Sequence, residues 1–125
     1  MGRTEEGLKT ALKLLKDIRK EFETNLFIPG STEGVNIELE KALRLNDFIT
    51  MGELIAYDAL NRNESCGGHF REEYQTEEGE AKRDDENYFY VSCWEYQGSD
   101  DVAPVLYKEP LVYEAIKVQT RNYKS

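Results

Sequence analysis

A chain of 125 residues, 39% hydrophobic and 33% charged, is the size of a single folding unit with one modest core, and no run approaches the roughly 18 apolar residues that cross a bilayer. Its net charge of −9 and pI near 4.7 oppose the phosphate attraction that dominates nucleic-acid affinity, so no nucleic acid is expected as a partner. Two cysteines, Cys66 and Cys93, are too few for a disulfide scaffold and form no CxxC pair, which makes free thiols in a reducing compartment the expectation.

The first six residues, Met1 to Glu6, lack both the apolar stretch of a secretory signal and the acid-poor character of a transit peptide. Taken alone they read as cytoplasmic, or as the start of an excised fragment. From Thr4 to about Thr24, apolar residues fall at Leu8, Ala11, Leu12, Leu15, Ile18 and Phe22, the three-and-four spacing of one helix face. Thr4 fits as N-cap, and Glu5 and Glu6 complement the positive end of the helix dipole. Asn25 to Val35, punctuated by Pro29, Gly30, Ser31 and Gly34, reads as a loop packed through Leu26, Phe27 and Ile28.

A second helix is expected from the N-cap Asn36 to about Arg62, roughly 26 residues and 40 Å long. Its apolar residues run from Ile37 through Phe48, Met51 and Ile55 to Leu60 and cover more than one stripe. A single partner helix cannot bury them all. Residues 71–87, dense in acids, read as a solvated, mobile loop. Tyr88 to Tyr96 is rich in aromatic and β-branched residues and predicts a strand, with a turn at Gly98 to Asp101 and a return at Val105 to Lys108. Leu111 to Val118 is a candidate extension, with Pro104 and Pro110 confining pairing to edges. The basic end, Thr120 to Ser125, reads as loose.

Chemistry concentrates between Asn63 and Tyr74, which holds the single histidine, His69, beside Cys66, Gly67 and Gly68. The glycines suit a cap closing the long helix, because glycine adopts the left-handed conformation without steric cost. His69 beside Glu64, Glu72 and Glu73 is open to two readings, a general base or a hydrogen-bonded structural residue. Cys66, His69 and Cys93 offer three zinc ligands where a closed site wants four. No phosphate loop, dinucleotide fingerprint or nucleophile elbow is present. The residues alone therefore give a helical hairpin with a β-rich tail and no complete active site.

Arg62-x-Glu64-Ser65-Cys66-Gly67-Gly68-His69-Phe70-Arg71-Glu72 resembles the end of the helical C-terminal domain in the succinate dehydrogenase and fumarate reductase flavoproteins, whose usual form is ESRG-x-H-x-R-x-D before a proline-containing turn. The flanks are similar too: Arg3 to Leu8, the Leu39-Ala42-Leu43-Leu45-Phe48 series, Arg83 to Asn87, Tyr107, and Arg121-Asn122-Tyr123. Cys66 stands in place of the family's usual arginine, and Gln75 and Thr76 in place of its proline turn.

The resemblance implies a mainly α fold, a helical hairpin belonging to a spectrin-like three-helix bundle and followed by a small β hairpin. Its expected division is a helical part at 1–75, a charged loop at 76–87 and a β-rich tail at 88–125. The family interconverts succinate and fumarate by hydride transfer at FAD and passes electrons to an iron-sulfur subunit with its clusters, in a complex peripheral on the cytoplasmic face of the inner membrane. The flavin and substrate groups belong to upstream FAD-binding and capping domains. The chain alone is therefore expected to lack catalytic, cofactor and metal residues. Glu64, Ser65, Cys66, Gly67, His69 and Arg71 are expected to form a docking surface for those domains, with a homo-oligomer possible for the chain by itself. The alternative is a free-standing acidic helical interaction module.

Overall fold

Thr4 begins the first helix as expected: its hydroxyl oxygen accepts a hydrogen bond from the Gly7 amide at 3.0 Å, satisfying one of the amides that a helix start leaves unpaired. The computed structural model describes residues 2–99 and 101–120. It contains α1 (Glu5–Asn25), α2 (Ile37–Asn61), the short α3 (Asp85–Tyr88), β1 (Tyr90–Glu95) and β2 (Val105–Pro110). The chain divides into two compact units, residues 1–61 and 62–125.

In the first unit α1 and α2 pack as a hairpin. Leu8, Ala56 and Ala59 are buried, with Leu12, Leu15 and Leu60 packed against them. Gly52, Ala56 and Ala59 lie four and three residues apart, so α2 offers α1 a narrow strip of small residues on which its leucines sit. A methyl group on Gly52 would already stand 3.6 Å from Leu15. Farther along, buried Arg19 donates through Nη2 to Thr50 Oγ1 at 3.2 Å and Glu53 Oε2 at 3.1 Å. An ion pair at this depth contributes less to net stability than to fixing which residues of the two helices face each other.

Asn36 caps α2, its Oδ1 accepting from the amides of Glu38 and Leu39 at 3.1 Å each, while its Nδ2 donates to Pro29 O at 3.2 Å. The connector before it departs from expectation. Phe27 is 85% and Val35 99% exposed, because a two-helix hairpin puts nothing above its own loop for them to pack against. The excess apolar surface of α2 is as expected: Ile37, Leu43, Phe48, Met51 and Ile55 are all exposed.

In the second unit β1 and β2 form a two-stranded antiparallel sheet, with Cys93 opposite Tyr107 and Glu95 opposite Val105. Side chains alternate, so Tyr90, Ser92 and Trp94 are more covered than Val91, Cys93 and Glu95. The strand starts two residues later than its composition predicts. Asp84 accepts from the Asn87 amide at 3.2 Å and draws residues 85–88 into a helical turn first. Residues 111–118 do not extend the sheet. Pro110 ends the pairing, and the chain beyond it is held by the Leu111 amide on Phe89 O at 3.2 Å and the edge-on contact of Tyr113 with Phe89. Asp100 and Arg121, Asn122 and Tyr123 lie outside the described residues.

Residues 71–87 are more ordered than their charge suggests. Gln75 bridges Ala81, the Thr76 amide donates to Glu80 O at 2.8 Å, and Gly79 takes the positive φ of 80° that closes the turn. A glycine-closed turn thus stands where the family pattern carries proline.

Arg19→Ala is expected to destabilise the chain by about 2 kcal/mol in urea unfolding, since it strands Glu53, whereas Arg19→Met combined with Glu53→Leu is expected to restore most of the loss. A second prediction concerns Tyr107, whose hydroxyl donates to Glu95 Oε2 at 3.1 Å. That bond, and then the carboxylate's charge, hold the phenol's pKa above its ordinary value of 10.0. The protonated phenol is the bonded form, so the contribution is complete below the unfolded value and is lost as pH rises through the higher folded one. In Glu95→Gln, NMR titration of the Tyr107 ring should show the step moving down toward the ordinary value.

Candidate functional site

Directly after α2, Arg62 makes the first cross-link of the second unit. Its Nη2 donates to Tyr90 O at 2.7 Å and its Nη1 to Tyr88 O at 3.3 Å. The guanidinium also lies over the Tyr90 ring, 4.9 Å from its centroid, and Lys108 Nζ approaches that ring at 4.6 Å. One cation therefore fixes the carbonyls where β1 begins and stacks on its first side chain.

Glu64, 2% exposed, bridges two segments. Oε1 accepts from Arg62 Nη1 at 2.8 Å and Oε2 from the Asp84 amide at 3.0 Å. Ser65, fully buried, donates its amide to Lys82 O at 2.9 Å. Its hydroxyl accepts from the Arg71 amide at 2.8 Å and donates to Arg71 O at 3.1 Å. Between Ser65 and Arg71 the chain makes a tight hairpin in which Cys66 and His69 exchange both backbone hydrogen bonds, at 2.8 and 3.0 Å.

Gly67 carries φ 57° at the first central position of that hairpin, the backbone form for which glycine is preferred there. The two glycines therefore turn a hairpin and do not cap α2, which has already ended at Asn61. Sequence reasoning assigned the conformation correctly and the element wrongly, because a left-handed glycine serves either structure equally well.

His69 Nε2 lies 3.1 Å from Arg62 O. A carbonyl only accepts, so this nitrogen carries the proton and donates, which gives His69 a structural bond to the backbone just after α2. Arg71 is fully buried; Nε donates to Glu73 Oε2 at 3.1 Å and the guanidinium lies 5.4 Å from the Tyr74 ring centroid. Nearby, Arg83 is held by Asp85, whose hydrogen bond is the largest influence raising the guanidinium's pKa, and it donates to Gln119 O at 3.2 Å.

Of the six expected docking residues, then, Glu64, Ser65 and Arg71 are buried and bonded within the chain, His69 is half-buried, and Cys66 and Gly67 are exposed. Cys66 and Cys93 are both free thiols. Among the described residues no three His, Cys, Asp or Glu side chains gather as a metal site requires. Arg62 is the organiser that sequence reasoning passed over. It stood in the quoted motif, but nothing in the sequence shows that its partners lie 26 and 28 residues downstream.

The model of the family described as the fumarate reductase flavoprotein C-terminus matches residues 1–123. The chain belongs to that family. Another relative of this flavoprotein C-terminal domain is an uncharacterized FAD-dependent oxidoreductase of Methanocaldococcus jannaschii, 32% identical over 72 residues, which are 58% of this chain and 12% of that protein. Among solved structures, FrdA of Escherichia coli quinol fumarate reductase superimposes with a TM-score of 0.75 at 22% identity, covering 94% of this chain and 19% of that one. At this identity the likeness establishes the fold, a helical hairpin followed by a β hairpin. The chain spans well under a quarter of the length of either relative.

Ser65→Ala leaves the buried amide and carbonyl of Arg71 without their partner and should cost about 2 kcal/mol in urea unfolding. Cys66→Ser, one residue away and exposed, should stay within about 0.5 kcal/mol. Equal losses in the two variants would show that the Ser65 bonds do not hold the corner.

Proposed function

We propose that this chain acts as the C-terminal structural domain of a flavoprotein subunit that interconverts succinate and fumarate at FAD. In this reading it docks against the FAD-binding and capping domains, and the subunit passes electrons to an iron-sulfur partner at the cytoplasmic face of the inner membrane. The observation that carries the reading is the family match across residues 1–123. The corner at 62–71 supports the docking role. Its interior is closed by bonds within the chain, and the Cys66-Gly67-Gly68 turn is presented outward on that frame. Chain division for this role follows the helical part at 1–75, the charged segment at 76–87 and the β-rich tail at 88–125.

The residues present do not fit a flavin. Glu64, Ser65 and Arg71 have their polar groups engaged inside the chain, and a side chain added at Gly67 or Gly68 would meet nothing within 4 Å, so the turn forms no cradle. No catalytic step is therefore assigned to this chain. No described helix is long and apolar enough to cross a membrane.

The test is reassembly. The chain is mixed with an FAD-loaded flavoprotein from a longer relative that has been deprived of its own C-terminal segment. A complex is expected, with Cys66→Trp and His69→Ala each weakening it at least tenfold while the chain's helix content is unchanged. No binding, or fumarate reduction by the isolated chain, would overturn the proposal.

A further inference from the structure

The register of the β hairpin fixes which of its backbone groups face outward. In an antiparallel pair, opposed residues alternate between those that exchange both hydrogen bonds and those whose N–H and C=O point away from the partner strand. The Leu111 amide donates to Phe89 O at 3.2 Å, and this pair continues the register that sets Val91 against Glu109 and Cys93 against Tyr107. The odd-numbered residues therefore bond inward. Tyr90, Ser92 and Trp94 of β1, and Leu106, Lys108 and Pro110 of β2, turn their backbone groups to the two outer edges.

An open edge is a template for a further strand, and both edges are interrupted at one cross-strand pair, Tyr90 with Pro110. On β2, Pro110 has no amide to offer, and the ladder loses nothing because that amide would point outward. On β1, Arg62 Nη2 takes the outward carbonyl of Tyr90 at 2.7 Å, and Nη1 takes the carbonyl of Tyr88 at 3.3 Å. The Arg62 fork thus fills acceptors that the amides of an added strand would use.

We infer that Arg62 is an edge guard, an autoinhibitory contact whose guanidinium stands in for a third strand and keeps β1 from pairing with β1 of a second copy. Strands often blunt their edges with charges of their own. Tyr90-Val91-Ser92-Cys93-Trp94 carries none, and its aromatic and β-branched content is the kind that adds strand to strand where an edge is open. The charge therefore comes from outside the strand, from a residue 28 positions before Tyr90. The guard acts on the edge of β1 and does not rest on the docking role proposed for the Cys66 turn. Either can fail without the other.

Sedimentation equilibrium of the reduced 125-residue chain, from micromolar to millimolar concentration, tests it. Arg62→Met keeps an aliphatic stem over Tyr90 and removes both donors, and it should self-associate at least tenfold more tightly than wild type. Adding Ser92→Pro should abolish that gain, because it removes an outward amide that the ladder between β1 and β2 does not use. Ser65→Ala loosens the same unit with the Arg62 bonds intact and should associate no more than wild type, which separates an opened edge from simple destabilisation. Where Arg62→Met loses the wild-type circular dichroism, Arg62→Lys is read instead, since one ammonium replaces the two-pronged donor and should give a smaller gain. No gain in the Arg62 variant read, an equal gain in Ser65→Ala, or a gain that survives Ser92→Pro would overturn the inference.

Discussion

Glu64 is the contact on which the second unit depends. A carboxylate that is 2% exposed is costly to bury unless both oxygens are satisfied, and here one holds the Arg62 guanidinium and the other the Asp84 amide. Arg62 in turn holds the carbonyls of Tyr88 and Tyr90, and Asp84 caps the turn leading to them. One side chain therefore ties the segment after α2 to both ends of the passage into β1. A two-stranded hairpin is marginal by itself, and this anchoring of its first strand offsets that weakness.

The helical hairpin is built on a different principle. Its closure comes from a strip of small residues on α2 against leucines of α1, with one ion pair, Arg19 to Glu53, setting the pairing. That geometry uses one face of α2 and leaves Leu43, Phe48, Met51 and Ile55 exposed.

Much of this was legible in the sequence, for local reasons. Thr4 and Asn36 are caps whose partners lie two or three residues away, and helix periodicity and strand composition are equally short-range. The over-apolar α2 was legible for the same reason, since counting stripes needs no tertiary structure. What was not legible depends on pairs far apart in the chain. The Glu64 to Asp84 bond spans 20 residues and the Arg62 to Tyr90 bond 28. Without those partners, residues 71–87 looked like a charged, mobile loop, although Lys82 O and the Asp84 amide are structural groups. The corner's residues stood out by type, and the direction in which they face did not.

Cys66 has a consequence for how such a domain can change over time. It sits at the entrance of a hairpin whose frame is held by Ser65, Arg71 and backbone bonds, and its own side chain is exposed. Selection acting on the frame therefore places little restriction on this position. Contact chemistry on this turn can drift together with whatever faces it, one substitution at a time, without the fold passing through an unstable intermediate.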